Sequence, residues 1–344
     1  MPAEQAERRY DARHRMEDDM RLFRVLVVTV VPLALAVGGA WLYARHWYEA
    51  PGPLTEEKTV VIAPGTGFQG IARVLAQEGV IGPPIIYMTM VLMEQQHAAF
   101  KAGEYAFPPG ISPQNVTEKL TQGDVVLHSV TIPEGLVSED IRAILAKEPL
   151  LTGDIPGDIA EGALLPETYF FLRGDGRAKV MARMQANMQA ALAKAWNARK
   201  PDMPLRTLQE ALTLASIVEK ETGRPQERGR VAAVFLNRLR LGMKLQSDPT
   251  TLYGIFRASG KRKSGLTRRD LASDSPYNTY VIPGLPPGPI AHPSKASIEA
   301  ALNPPDTAEL YFVAHGNGGH VFATTLEEHQ RNVAHYRNAG HMSK

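Results

Sequence analysis

The chain has 344 residues, a length that fits about two domains. Its 44% hydrophobic and 22% charged residues are typical of a globular protein with a core. The formal net charge of +2 provides no bulk electrostatic basis for binding nucleic acid. The absence of cysteine excludes disulfides, thiolate metal sites, a cysteine nucleophile and a lipid-modified N-terminal cysteine.

An uncharged run at residues 25–44 predicts a single membrane-spanning helix, because about 20 apolar residues cross a bilayer. Six arginines precede this run and Arg45 stands nearly alone after it. The positive-inside rule therefore predicts that residues 1–24 are cytoplasmic, that the run is an anchor in the inner (cytoplasmic) membrane, and that the bulk of the chain is periplasmic. A cleavable signal peptide is the alternative, but its apolar core is shorter, about 7–15 residues. A buried core helix is disfavoured by the charge asymmetry.

Residues 45–56 are predicted to be a linker, since Pro51, Gly52 and Pro53 break a helix. A small α+β module is predicted to follow. Its elements are strands at 59–62 and 101–107, a helix after the first strand, and a helix that begins at Ser112-Pro113. The strand–turn–helix pattern of this module recurs near residues 130–146. Two copies are too few to predict a solenoid.

The second half of the chain is predicted to be helical at first and then rich in loops. Thr207 and Glu210 have the spacing of a capping box, which predicts a helix start. The further predictions are helices at 185–199 and 228–241, a loop-rich stretch at 248–293, a hairpin with strands at 309–314 and 320–323, and a last helix from about Leu326.

Two carboxylates, Glu219 and Glu221, lie where the apolar segment after Thr207 ends. Apolar surroundings raise the pKa of a carboxyl group, and an acid that stays protonated near neutral pH can protonate the leaving group of a glycosidic bond. On a helix the two side chains point about 200° apart. Glu221 shares its stripe with Leu, Ile and Val side chains, so the sequence favours Glu221 as the acid and Glu219 as the second choice.

Polar and aromatic residues after this segment could bind a sugar chain. The candidates are Gln246, Ser247, Asp248, Thr250, Tyr253, Asn278 and Tyr280. A purely structural role remains the alternative at two places: Asp248-Pro249 would form a turn, and Arg238 would form an ion pair on a helix surface. His292, His315 and His320 lack the spacing of a metal site, so no metal and no cofactor are predicted.

Several stretches of the chain resemble one known family, the MltG (YceG-like) endolytic murein transglycosylases. The resemblance extends from about residue 57 to 338 and includes an anchor at the expected place. The matching stretches are residues 161–169, 215–222, 234–239, 243–250, 277–280, 284–290 and 311–314.

The resemblance implies a membrane-anchored enzyme that cleaves the MurNAc–GlcNAc bond within nascent glycan strands of peptidoglycan. Its product would carry a 1,6-anhydro-MurNAc end, and the cleavage would terminate glycan elongation. The fold implied is α+β: a LysM-like subdomain at 57–130, then a mixed α/β catalytic domain at 131–344 with a helical lysozyme-like site and a loop-rich cleft. Glu221 takes the place of the family's catalytic glutamate. Glycan strands are the implied substrate and peptidoglycan synthases are candidate partners.

Two other functions compete with this one. A non-catalytic, membrane-tethered peptidoglycan-binding scaffold would use the module and the aromatic loop without turnover. An acid embedded in apolar residues argues against it, because a binding module gains little from a raised pKa. A periplasmic sensor is the third alternative, but residues 1–24 contain no transmitter sequence.

Overall fold

The computed structural model describes residues 2–315 and 318–342. The chain divides into two compact units, one ending at Val126 and one beginning at Leu127. Helix and sheet are mixed in the chain, which begins with one apolar helix. Within the described residues, the strands form three antiparallel sheets of two strands each.

Helix α1 (Pro2–Glu49) contains the predicted anchor. Its portion Phe23–Glu49 is long and apolar enough to cross a membrane, by length and composition, and the most apolar window within it is not buried by protein. The helix ends later than the run at 25–44 predicts. The first part of the predicted linker is therefore helical, and Tyr48 is buried in the core of the first unit.

The rest of the first unit is an antiparallel strand pair with three helices. The elements are β1 (Lys58–Ile62), α2 (Phe68–Gln77), α3 (Pro84–Met93), β2 (Gly103–Phe107) and α4 (Pro113–Gln122). Alternate residues of β1 face the core, as a half-buried strand requires. Ser112 caps α4 by accepting a hydrogen bond from the Asn115 amide at 3.2 Å. The predicted strands and this helix start are confirmed, whereas α3 is an addition that the sequence reading lacked.

The second unit begins with β3 (His128–Thr131), α5 (Ser138–Lys147) and β4 (Thr168–Phe171), in which β3 and β4 pair in antiparallel register. The strand–turn–helix pattern predicted near residues 130–146 is thus present. Helix α6 (Arg177–Asn197) begins well before the predicted helix at 185–199. Its Met181 and Met184 share a core cluster with residues of β4, and Met188 belongs to the larger core of this unit.

The central helices of the second unit enclose the larger hydrophobic core. They are α7 (Leu208–Glu221), α8 (Arg228–Arg240), α9 (Asp248–Ser259) and α11 (Lys295–Leu302), whereas the short α10 (Arg268–Leu271) has no buried residue. Helix α7 is buried on all sides from residue 211 to 218 and packs against both α8 and α11. The predicted loop-rich stretch 248–293 is wrong in its first quarter, which is α9. Pro249 occupies the first turn of that helix, where proline is tolerated.

The chain ends with the predicted hairpin and helix. Strands β5 (Tyr311–Ala314) and β6 (His320–Ala323) pair in antiparallel register. Part of the predicted turn, residues 316–317, lies outside the described residues. Helix α12 (Leu326–Met342) starts where the sequence predicts and packs on β5.

Candidate active site

Glu221 is the last residue of α7. The helix starts at Thr207, whose hydroxyl accepts a hydrogen bond from the Glu210 amide at 3.1 Å. Residues 211–218, about two turns, are buried, and Thr222 then adopts an extended conformation that ends the helix. The Glu221 side chain is therefore held at the rim of the core, half-buried, at the C-terminal end of a rigid element.

The surroundings of Glu221 favour its protonated form. Burial raises the pKa of its carboxyl group from 4.5 to about 7. The negative charge of Asp248 also raises this pKa, whereas a hydrogen bond from Ser247 and the positive charge of Arg238 lower it. The Ser247 hydroxyl donates to Oε1 of Glu221 at 2.5 Å. The site therefore contains an acid that gains or loses its proton near neutral pH.

The carboxylate of Glu219 forms hydrogen bonds and an ion pair within the protein. Its Oε2 accepts hydrogen bonds from the amide of Ser294 at 2.8 Å and from the Ser294 hydroxyl at 2.6 Å. Its Oε1 lies 3.5 Å from the Arg228 guanidinium, and the side chain is only 5% exposed. Because Ser294 is the N-cap of α11, Glu219 joins the end of α7 to the start of α11. Its carboxylate is therefore engaged within the protein rather than exposed to solvent.

Arg238 is also buried, so its predicted ion pair on a helix surface is wrong. Its guanidinium donates to the carbonyl oxygen of Leu310 at 2.7 Å and to that of Leu245 at 2.8 Å. A longer contact of 3.3 Å reaches Oε1 of Gln246. Through these hydrogen bonds Arg238 connects residues 245–246, which precede α9, to helix α8. It also places a positive charge near Glu221.

Buried threonines hold the segment that carries Ser247. The Ser247 amide donates to the hydroxyl of Thr279 at 3.0 Å, and the Gln246 amide donates to the Thr279 carbonyl at 3.1 Å. The Thr250 hydroxyl donates to the Ser247 carbonyl at 2.7 Å. Gln246 has φ of 53°, a left-handed conformation that turns the chain into α9. The sequence reading did not name Thr279, although its motif contained it.

Asp248 and Tyr280 flank Glu221. The Tyr280 hydroxyl donates to Oδ1 of Asp248 at 2.6 Å, and both groups are close enough to Glu221 to interact with it electrostatically. Asp248 is exposed, so it can reach a bound ligand. Three of the predicted binding residues therefore lie near the acid: Ser247, Asp248 and Tyr280. Gln246 directly precedes Ser247 and contacts Arg238.

Asn278 is a supporting residue of this region and is fully buried. Its amide nitrogen donates to the carbonyls of Leu271 at 3.1 Å and Ser273 at 2.8 Å, and its oxygen accepts from the Thr251 hydroxyl at 3.0 Å. The same oxygen accepts from the Tyr280 amide at 3.1 Å. Asn278 and the equally buried Thr250 have their polar groups engaged within the protein, and direct contact with a sugar stays a prediction for both residues.

We expect Asn278→Ala to lower the free energy of unfolding by about 2–4 kcal/mol, because several buried polar groups lose their partner. Urea unfolding measures this loss. The matched control is Asn197→Ala, at an exposed position at the end of α6, which should change stability little. An unchanged unfolding midpoint for Asn278→Ala, with weaker binding of glycan, would show that Asn278 is a direct ligand.

Tyr253 belongs to a separate polar cluster. Its hydroxyl donates to Oε2 of Glu161 at 3.1 Å, while the Ser138 amide donates to Oε1 at 3.0 Å. The Ser138 hydroxyl lies 3.0 Å from Nε2 of His292, and Nδ1 of His292 lies 3.0 Å from the backbone of Leu164. Burial lowers the pKa of His292 to about 4, so this imidazole is neutral. Ser138, Glu161 and Tyr253 of this cluster line a cleft of about 520 Å³, whereas His292 is fully buried behind them.

The three histidines considered as metal ligands lie in different surroundings. His292 belongs to the cluster just described, and Nδ1 of His320 lies 2.7 Å from Oε2 of Glu227. His315 is exposed next to the hairpin turn. Among the residues that the structure describes, no three histidine or carboxylate side chains converge on one metal position.

Comparison with known proteins assigns the family. A family model described as YceG-like matches residues 60–335. An endolytic murein transglycosylase of Bacillus subtilis (strain 168) is 32% identical, and the match covers 86% of this chain and 90% of that protein. A Streptococcus pneumoniae protein of the same name (serotype 2, strain D39) is 29% identical over 90% of this chain, which spans 64% of that relative's length. The chain therefore belongs to the YceG-like family.

A solved structure supports the same assignment. The crystal structure of a putative YceG-like protein from Listeria monocytogenes is 31% identical to this chain and superposes with a TM-score of 0.52. The match covers 80% of this chain and 98% of that one. Both the sequence and the fold of the chain are thus similar to those of this family.

Proposed function

We propose that the protein is a membrane-anchored endolytic peptidoglycan lytic transglycosylase. The observation that carries this proposal is the half-buried Glu221, an acid whose pKa lies at about 7 beside polar groups that can orient a sugar. Relatives in Bacillus subtilis and Streptococcus pneumoniae are named endolytic murein transglycosylases. The substrate is the MurNAc–GlcNAc bond within nascent glycan strands, and cleavage ends strand elongation.

Glu221 acts first as the acid. Ser247 donates to Oε1, which leaves Oε2 to hold the proton that is transferred. The proton goes to the oxygen that links MurNAc to the next GlcNAc, and the C1–O bond breaks. The acetamide of the MurNAc stabilises the oxocarbenium-like charge on C1, a form of substrate assistance known among glycosidases.

Glu221 then acts as the base. Its carboxylate removes the proton of the C6 hydroxyl of the same sugar, and that oxygen bonds to C1. The product is a 1,6-anhydro-MurNAc end, and Glu221 regains the proton it gave away. No water is consumed, so a second carboxylate to activate water is not required. Gln246, Asp248 and Tyr280 are proposed to orient the sugar.

The proposed domains follow the chain order: cytoplasmic segment 1–24, membrane helix 25–44, linker 45–56, LysM-like subdomain 57–130 and catalytic domain 131–344. The order strand, helix, helix, strand in the first unit supports a LysM-like, glycan-binding role. The end of α7, with its glutamate followed by Thr222, supports a lysozyme-like site. The protein is proposed to lie in the inner membrane with its N-terminus in the cytoplasm and to work beside peptidoglycan synthases.

The test is incubation of the full-length protein in detergent with purified sacculi, followed by mass spectrometry of the products. We expect internal cleavage that leaves 1,6-anhydro-MurNAc ends. Reducing MurNAc ends would indicate hydrolysis and contradict the proposed chemistry. Binding to sacculi without any release would favour the alternative function, a membrane-tethered scaffold without catalysis.

A further inference from the structure

Helix α3 of the first unit exposes apolar side chains. Ile85 is 65% exposed, Leu92 is 49% exposed and Met93 is 59% exposed. Positions 85, 89, 92 and 93 lie on one face of a helix, because residues three and four apart are neighbours. The opposite face, with Tyr87, Met90 and Val91, is buried in the core. The helix is therefore apolar on both its inner and its outer face.

The apolar character extends beyond the helix itself. From Val80 to Met93 the sequence contains no charged residue. An uncharged run of this length is too short to span a bilayer, and it fits a buried core helix or a helix in the membrane interface. The exposure of Ile85 and Leu92 argues against a core helix.

Helix α3 lies against the end of α1. The ring of Trp47 is so close to Gly82 that a Cβ atom there would lie 3.0 Å from Cζ2 of Trp47. The Tyr48 hydroxyl donates to Oε2 of Glu94 at 3.2 Å. Gly82 and Glu94 flank opposite ends of α3, and both are contacted from adjacent residues of α1. Helix α3 therefore runs across the end of α1 rather than along it.

We propose that α3 is an interfacial helix that lies in the lipid leaflet from which α1 emerges, with Ile85, Leu92 and Met93 among the acyl chains. This inference rests on the proposed membrane anchor. The lipid surface is the occupant favoured here because α3 adjoins the last turn of the apolar helix, and a tryptophan, which prefers membrane interfaces, stands at the junction. Helix α3 would then hold the first unit at the membrane surface.

Single cysteines test this placement, because the chain has none of its own. Ile85→Cys and Leu92→Cys in the full-length protein are labelled with the fluorophore NBD and reconstituted in vesicles of phosphatidylethanolamine and phosphatidylglycerol. Leu35→Cys, at the centre of the predicted span, is the lipid control. Arg73→Cys, at an exposed position of α2, is the solvent control. Lipids with a nitroxide near the headgroup or near the tail end, and aqueous iodide, serve as quenchers.

At a depth of about 5–10 Å, the probes at 85 and 92 should lose about half their emission to the shallow nitroxide and be shielded from iodide. The probe at 35 should respond more to the deep nitroxide. Iodide quenching at 85 and 92 equal to that at 73 would overturn the proposal, as would protection from all quenchers, which indicates a protein occupant. If the probe at 35 also fails to respond to lipid, the anchor itself is refuted and the proposal falls with it.

Discussion

Glu221→Gln is expected to reduce the release of anhydro-ended fragments by about 10²–10⁴-fold, the usual contribution of a general acid–base group. Glutamine has the same shape and can still accept the hydrogen bond from Ser247, but it can neither give nor take the proton that the reaction transfers. The fold should persist, since the side chain lies at a helix end at the edge of the core. The measurement is the initial rate of product release, quantified by mass spectrometry.

Glu219→Gln is the matched control, two residues away on the same helix. Its amide oxygen can still accept from Ser294, but the interaction with Arg228 loses its negative partner. We expect this variant to lose about 1–3 kcal/mol of stability and to keep most of its activity at a temperature where it is folded. Normal turnover by Glu221→Gln, or equal loss of activity in both folded variants, would contradict the proposed role of Glu221 as the general acid and base.

The pH dependence of the reaction should have its descending limb at about pH 7. Glu221 must be protonated when substrate binds, and burial raises its pKa to about 7. Activity is therefore present below this pH and falls as the pH rises, by about 50-fold between pH 7 and pH 9. The profile of kcat/KM against pH measures it. A rate that stays constant to pH 9 would show that the acid is another group.

Ser247→Ala should move this limb upward. The hydrogen bond from Ser247 lowers the pKa of Glu221, so its loss leaves burial and the charge of Asp248 to raise that pKa further. Ser259→Ala, at the exposed end of α9, is the control and should leave the limb unchanged. A limb that moves to lower pH in Ser247→Ala would contradict the assignment of the titrating group.

The same pKa shift predicts a dependence of stability on pH. The folded-state pKa of about 7 lies above the ordinary value of 4.5, so the folded state loses stability as the pH rises through 7. Glu221→Gln does not titrate. Its stability relative to the wild type should therefore increase toward high pH by up to about 3 kcal/mol and be constant below about pH 4.5. Urea unfolding at several pH values checks this difference.

The helix that carries the acid is determined locally. Thr207 and Glu210 mark its start, an apolar run follows, and Glu221 comes where that run ends, so α7 and its end could be predicted from neighbouring residues alone. The first two strands, the helix cap at Ser112 and the last hairpin can likewise be predicted from residues that are neighbours in the sequence. The pair Asp248-Pro249 suggests a turn, whereas Pro249 lies in the first turn of α9, where proline is compatible with a helix.

The difference between the two glutamates is decided by tertiary contacts. On an isolated helix, the residues that share a face with each glutamate would determine which carboxyl group is desolvated more. In the folded protein residues 211–218 are buried on all sides, so the helix face does not distinguish Glu219 from Glu221. Oε2 of Glu219 accepts a hydrogen bond from Ser294, which is 75 residues further along the chain. Glu221 instead accepts a hydrogen bond from Ser247 and interacts with the positive charge of Arg238.

The sequence by itself therefore determined the family, the apolar N-terminal helix and the position of the candidate acid at a helix end. The last two depend on residues close together in the chain, and the family is indicated by short local motifs between residues 161 and 314. The tertiary structure decided which side chains share that acid's surroundings. Asn278 and Thr250 are polar like Ser247, yet they are fully buried, and the hydroxyl of Tyr253 donates to Glu161 instead. Such contacts join residues dozens of positions apart, and no local periodicity encodes them.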